Sequence, residues 1–250
     1  MFYDMLEQPH RAFKSKNGLA VACPQMPLWL WLAQGQPTDV RLFFNDFLRQ
    51  NTTPLIGLVA ERDSAKICAE IYATEAGVSF SQKDLVAYFL PEDAQLPYPT
   101  AAGELRPACA ADMAFIPKWI SEFYAEALEF SFADIPPPQA TEFFEKTPPP
   151  KSLNLFVWHD EKPVAMGAIT GKTCRLNLIY VTPAARGKGY GRAIVCALAR
   201  KARESGKLPV LYTSGGNDAA MGLYLSLGFR ETGRLSEVRF SCCANAPNML

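Results

Sequence analysis

Leu176-Asn-Leu-Ile-Tyr-Val-Thr-Pro-Ala-Ala-Arg-Gly-Lys-Gly-Tyr-Gly-Arg-Ala193 is the stretch on which the reading of this chain turns. Its first residues are mostly apolar and read as a strand, Cys174–Val181, that runs out before Pro183. Proline has no N–H to offer a ladder, so the strand stops there. Arg186-Gly-Lys-Gly-Tyr-Gly191 then turns into a helix predicted over Gly189–Ser205, with Ile194, Val195, Leu198, Ala199 and Ala202 on one apolar stripe. The first turn of a helix leaves backbone N–H groups without intrahelical partners, and the helix dipole makes them a ready anion site. Glycines let the backbone touch a phosphate with no Cβ in the way. The side chains of Arg186, Lys188 and Arg192 add positive charge at the same place, so a pyrophosphate is the natural ligand.

Three phosphate-binding patterns compete for such a turn. A dinucleotide fingerprint needs G-x-G-x-x-G/A, but counting from Gly187 the last position is Arg192, and from Gly189 it is Ile194. Nor does an acidic residue end the next strand at Tyr212–Ser214, which disfavours a nucleotide-binding oxidoreductase. A P-loop needs G-x-x-x-x-G-K-[ST]; the nearest candidate, Gly167-Ala-Ile-Thr-Gly171-Lys172-Thr173, is one residue short and leads into a strand, so it reads as a hairpin connection. The third pattern fits: Arg186-x-x-Gly189-x-Gly191 resembles the R/Q-x-x-G-x-G/A acyl-CoA motif of the GNAT superfamily of N-acyltransferases. The resemblance extends to Tyr180-Val181-Thr182-Pro183, similar to that family's fourth strand and its exit, and to Leu211-Tyr212-Thr213-Ser214, similar to its fifth. Asn217 followed by Leu223-Tyr224-Leu225-Ser226-Leu227-Gly228-Phe229 resembles its closing N…LYxxLGF element. These matches fall in order across residues 104–250.

The resemblance implies that the backbone N–H groups of Arg186, Gly187, Lys188, Gly189, Tyr190 and Gly191 hold the CoA pyrophosphate, with Arg192 close by. It implies that the fourth strand splays from the fifth, so that the pantetheine arm pairs with main chain at Ile179, Tyr180 and Val181. The Val181 N–H would then donate to the thioester carbonyl, whose oxygen gains charge as an amine attacks. Asn217 is read either as an ordinary N-cap or as a cofactor contact. Tyr224 is read either as a core aromatic on a Met221–Tyr224–Leu225 stripe or, as in the family, as the acid that protonates the leaving thiolate; an ordinary tyrosine pKa near ~10 suits that donation. Some members carry a base glutamate on the fourth strand; Leu176–Val181 offers only Asn177. Glu122, Glu126 and Glu129 recur at helical spacing, the pattern of a solvated face. Asp134 is a further candidate base, and His159 reads as surface. The segment Trp119–Lys146 holds six acids and one base, which would make an acidic wall for a cationic amine.

Working outward, Leu105–Ala108, Leu153–Trp158, Val164–Thr170, Pro209–Ser214 and Glu237–Cys242 read as further strands, and Ala111–Phe130 and Asp218–Leu227 as helices. Met113, Ile116, Ile120, Phe123, Tyr124 and Leu128 form the inner side of the first helix. The fold class is α/β (α+β): a mixed, mostly antiparallel sheet flanked by helices, with one strand-helix-strand crossover. A proline-rich stretch, Pro91–Gly103, is the best boundary. It separates the acyltransferase domain, 104–250, from a smaller α/β domain, 1–95. There Gly18–Cys23, Pro54–Ala60, Lys66–Ala73 and Leu85–Leu90 read as strands and Pro37–Gln50 as a helix. That domain carries no second glycine turn and is compatible with a degenerate copy of the GNAT fold.

Composition agrees with an ordinary globule: 250 residues, 49% hydrophobic and 20% charged, with zero formal charge. Nothing global argues for nucleic acid or a membrane surface as partner. Seven cysteines without C-x-x-C spacing and only two histidines offer little to a metal and suit a reducing cytoplasm. The N-terminal residues lack a signal-peptide pattern. The expected activity is acetyl transfer from acetyl-CoA, as co-substrate and without a metal, to a small-molecule or peptide amine by a monomer or homodimer; a non-catalytic acyl-CoA-binding regulator is the alternative.

Overall fold

The computed structural model describes residues 10–23, 27–32, 36–128, 153–170 and 174–241. The chain packs as two compact units, one of Ala87–Thr232 and one of Phe2–Val86 with Gly233–Leu250. Their bounds fall inside two strands, β5 (Phe80–Phe89) and β11 (Arg230–Phe240). The proline-rich stretch at 91–103 is therefore not where the packing divides, and the last strand groups largely with the N-terminal residues. The reason is register: Leu235–Arg239 of β11 pair antiparallel with Gly57–Glu61, called β4.

In the N-terminal unit, β1 (Arg11–Ser15), β2 (Gly18–Ala22) and β3 (Leu28–Leu32) form an antiparallel meander, and β3 runs parallel to β4. Helix α1 (Pro37–Gln50) places Val40, Phe43, Phe44 and Phe47 in the core, as its spacing predicts. Residues Arg62–Ala76 form a second helix, α2, where the sequence suggests a strand at Lys66–Ala73. The apolar run misleads because Ile67 and Ile71 favour strands, but the buried residues are the small Ala65, Cys68 and Ala69 at helical spacing. The Glu61 carboxylate caps α2 by accepting from the Asp63 and Ser64 N–H groups.

The second unit is built on β6 (Glu104–Pro107), β7 (Leu153–Asp160), β8 (Lys162–Thr170) and β9 (Arg175–Val181), antiparallel in sequence order, with β10 (Val210–Ser214) added parallel to β9. A short 3₁₀ turn, Ala110–Ala114, precedes helix α3 (Ile116–Leu128), so the single helix expected from Ala111 is broken. Asp112 causes the break: it is buried, holds Arg106 through two hydrogen bonds of 2.6 and 2.8 Å, and accepts the Cys109 N–H. Met113 accordingly points outward, while Ile116, Trp119 and Ile120 are buried. The side chains of Tyr124 and Leu128 and the proline-flanked segment with Glu129 and Asp134 lie outside the described residues.

Met166 and Ala168 pack with Leu155, Val157, Leu178 and Tyr180 against α3. Gly167, between them, faces helix α4 (Tyr190–Glu204): a Cβ there would stand 2.6 Å from Leu198 Cδ1. Alternation along β8 thus puts α3 and α4 on opposite faces of the sheet. The stripe Ile194, Val195, Leu198, Ala199 and Ala202 is fully buried, as predicted. After β10 comes α5 (Asp218–Ser226), and β11 begins directly at Arg230, earlier than the apolar pattern from Glu237 suggests, because its first residues are polar and exposed.

Candidate active site

The site begins with an irregularity in β9. Met166 pairs with Tyr180 but Ala168 pairs with Asn177, so β9 carries one residue more than β8 here. Leu178 absorbs the extra residue at a left-handed φ of 51°, an expensive conformation held by its burial against α3. Past this bulge, Ala165 faces Val181 and the Thr182 N–H donates to the Val164 carbonyl at 3.0 Å. In an antiparallel ladder the main-chain groups alternate sides. The N–H and C=O of Val181 therefore point away from β8, toward the β10 side. There β10 is in register with β9 only through Val210 and Arg175, at the far end. The two strands separate toward Val181, as the family resemblance implies.

The chain leaves β9 through Pro183–Ala185 and turns twice through left-handed glycines, Gly187 at φ 76° and Gly189 at φ 85°. An L-residue would be strained at both positions. Gly189 is the N-cap of α4 and brings no side-chain cap; the first intrahelical bond is Ala193 N–H to Gly189 O, 3.0 Å. The N–H groups of Tyr190, Gly191 and Arg192 precede it and have no intrahelical acceptor. A Cβ on Gly191 would stand 3.7 Å from Val181 Cγ2 and 3.8 Å from Leu223 Cδ2. The end of β9, the start of α4 and helix α5 therefore converge on one point.

The cations are arranged differently from the sequence expectation. Arg186 folds back: its Nε donates to the Val181 carbonyl at 3.1 Å and its terminal nitrogen to both oxygens of Glu126 at 2.8 and 2.7 Å. Arg192 donates to Ser226 Oγ at 2.9 Å. Lys188 is exposed at the turn. Two of the three side chains are thus engaged by the protein, and so is one expected main-chain donor: the Arg186 N–H donates to the Pro183 carbonyl at 3.3 Å.

Nor are the α3 acids a plain solvated face. Glu126 holds Arg186, and Glu122 accepts the Tyr180 hydroxyl at 2.6 Å. Burial first, then this carboxylate, pushes the Tyr180 hydroxyl well above its ordinary pKa, so it stays a donor. The signal for this was in the sequence: Trp119, Glu122 and Glu126 share a stripe at i, i+3 and i+7 that borders the buried one.

On α5, Asn217 Oδ1 accepts the Ala220 N–H at 3.0 Å, the N-cap role. Tyr224 is buried, its ring 5.9 Å from those of Tyr88 and Phe229. Burial and, second, Tyr88 push its hydroxyl up to about 12. Gly228 closes the helix, with the Phe229 N–H donating to the Tyr224 carbonyl at 3.1 Å. His159 lies in β7 rather than in the hairpin turn, which tightens to Glu161. Among the described residues no cluster of His, Cys, Asp and Glu could hold a metal ion, and no helix is long and apolar enough to cross a membrane.

Residues 118–229 match the model of the acetyltransferase (GNAT) family. No curated protein matches the chain in sequence. Among solved structures, a GCN5-related N-acetyltransferase from Kribbella flavida is 15% identical over 95% of this chain and 91% of its own, with a TM-score of 0.57. A GNAT-family acetyltransferase from Colwellia psychrerythraea is 17% identical over 96% and 88%, with a TM-score of 0.55. A tandem GNAT protein from the clavulanic acid biosynthesis pathway is 14% identical over 91% and 79%, with a TM-score of 0.50. At these identities the likeness is one of fold.

Proposed function

Because residues 118–229 match the GNAT acetyltransferase family, we propose that the chain moves an acetyl group from acetyl-CoA to a primary amine by direct attack in a ternary complex. The observation that carries this is the convergence of the strand end at Val181, which β10 does not pair, an uncapped helix start at Gly189 and the helix bearing Tyr224. The N–H donors at Gly187–Gly191 take the pyrophosphate, the Arg186 N–H being given to the Pro183 carbonyl, and the open edge at Ile179–Val181 takes the amide-bearing arm. The Val181 N–H donates to the thioester carbonyl oxygen as the amine nitrogen attacks its carbon. Collapse breaks the carbon–sulfur bond, the Tyr224 hydroxyl gives its proton to the sulfur, and the proton shed by the acylated nitrogen passes to solvent, from which the tyrosinate is reprotonated. With its pKa raised to about 12, that hydroxyl is fully protonated at neutral pH. Asn217 keeps its amide nitrogen for the cofactor while its oxygen caps α5.

The N-terminal unit reads as a degenerate GNAT-like lobe that binds no cofactor. Its own strand-to-helix turn, from β4 into α2, has no glycines and is closed by the Glu61 carboxylate. Cys68, Cys109, Cys174 and Cys196 are free thiols, which suits a cytoplasmic protein.

Calorimetric titration with acetyl-CoA is the first test: saturable binding of about one molecule per chain is expected, and a folded sample that binds none overturns the assignment. An amine screen then identifies the acceptor. Tyr224→Phe is expected to lower kcat by on the order of 100-fold while leaving acetyl-CoA affinity unchanged. An unchanged kcat would return Tyr224 to a purely packing role.

A further inference from the structure

A turn containing two left-handed glycines is soft, because glycine loses more conformational freedom on ordering than any other residue. Such a turn binds a phosphate well only if something outside it holds it in place beforehand. Tyr190, the first residue of α4 and next to Gly189, is only 8% exposed, and its hydroxyl donates to Asp160 Oδ2. Asp160 ends β7 at the tip of the β7–β8 hairpin, where Glu161 reverses the chain at φ 56°. The tip is itself held: Trp158 Nε1 donates to the Ala102 carbonyl at 2.8 Å, and Ala101 Cβ lies 3.8 Å from the position a Cβ on Gly189 would take. A carboxylate this close to a proposed pyrophosphate site works against the anion by its charge, so charge does not account for it. Its hydrogen bond does.

We propose that Asp160 is a positioning residue for the pyrophosphate-binding turn, acting through the Tyr190 hydroxyl. The inference rests on the acetyl-CoA reading above. Through this bond the hairpin fixes the rotation of the first turn of α4, and with it the direction of the N–H groups at Tyr190 and Gly191. The residue touches neither substrate nor cofactor.

Two substitutions separate the hydrogen bond from the charge. Asp160→Ala and Asp160→Asn both remove the charge, but only asparagine keeps a carbonyl oxygen to accept from Tyr190. Calorimetric titration with acetyl-CoA is expected to show binding about tenfold weaker for Asp160→Ala and for Tyr190→Phe, the scale of a lost hydrogen bond to a charged group. The double variant should be no weaker than either single one, because both delete the same contact. Asp160→Asn should bind within about twofold of the parent or more tightly, with melting temperatures of all variants close together. Equal or tighter binding by Asp160→Ala would overturn the inference, since charge removal alone predicts that result. So would a melting temperature that falls in step with affinity across the set. If the parent protein itself binds no acetyl-CoA, the functional reading fails and takes this one with it; if the parent binds and the variants match it, only this inference fails.

Discussion

Gly189→Asp is expected to leave the protein folded and to weaken acetyl-CoA binding by on the order of 100-fold, about 2.7 kcal/mol. The native turn keeps its helix N-terminus open because Gly189 brings no side chain to cap it. Aspartate is a favoured N-cap whose oxygens accept from the second and third helical N–H groups, here that of Gly191, one of the donors proposed for the pyrophosphate, and that of its neighbour Arg192. It would occupy the site from within and add a repelling charge. The chain already shows the closed alternative at the start of α2, where Glu61 accepts from Asp63 and Ser64 N–H. The left-handed φ of 85° at position 189 costs aspartate roughly 1–2 kcal/mol, and the new cap returns about 1 kcal/mol. Folding stability should therefore change by about 1 kcal/mol or less, against the far larger loss of binding. Gly189→Asn, which caps without a charge, should fall between the parent and the aspartate variant. Calorimetry on all three reads the order directly; an aspartate variant with parental affinity would show that the pyrophosphate does not use these N–H groups.

The parts of the site that depend on one contiguous stretch are legible in the sequence. The strand exit at Val181–Pro183, the glycine turn and the stripe of α4 all follow from local rules, and each is where those rules put it. The Asn217 cap and the Gly228 helix stop are legible for the same reason. What is hidden depends on residues distant in the chain. Nothing near Arg186 says that its guanidinium will turn from the phosphate turn to Glu126, sixty residues earlier. The Tyr190–Asp160 bond spans thirty residues and crosses from a helix to a hairpin tip. The bulge at Leu178 is invisible because its cause is burial against α3, not a glycine in the strand. In the first unit, α2 is misread because β-branched residues on its flank outweigh the small buried ones in any propensity sum. Its stop at Gly77 and its acidic first turn were the local signals to the contrary.

Asp112→Ala should be the most damaging substitution for stability among the polar residues of the second unit. The Asp112 side chain is 3% exposed and that of Arg106 31% exposed, so the pair is neither fully dry nor a surface bridge. Removing the carboxylate strands a guanidinium that keeps its charge at any pH of interest, and it also orphans the Cys109 N–H. Breaking a buried pair by deleting one partner costs about 3–5 kcal/mol; the partial exposure of Arg106 brings the expected loss to about 2–3 kcal/mol. The pH dependence has a definite sign. The hydrogen bonds from Arg106, and after them the Cys109 N–H, hold the Asp112 carboxyl well below the usual carboxylate range, although burial opposes them. Above pH ~5 the group is ionised in both the folded and unfolded chain, and its stabilisation is complete. As pH falls below that value the unfolded chain takes up a proton that the folded one refuses, so stability is lost. Between pH 6 and pH 3 the parent should lose about 1 kcal/mol through this group, and Asp112→Ala should lose none of that share. Urea unfolding of both proteins at the two pH values measures it as a stability gap that narrows on acidification. A gap that stays constant or widens would mean that the carboxyl is not held ionised by Arg106, and that the turn at Ala110–Ala114 owes its stability to packing alone.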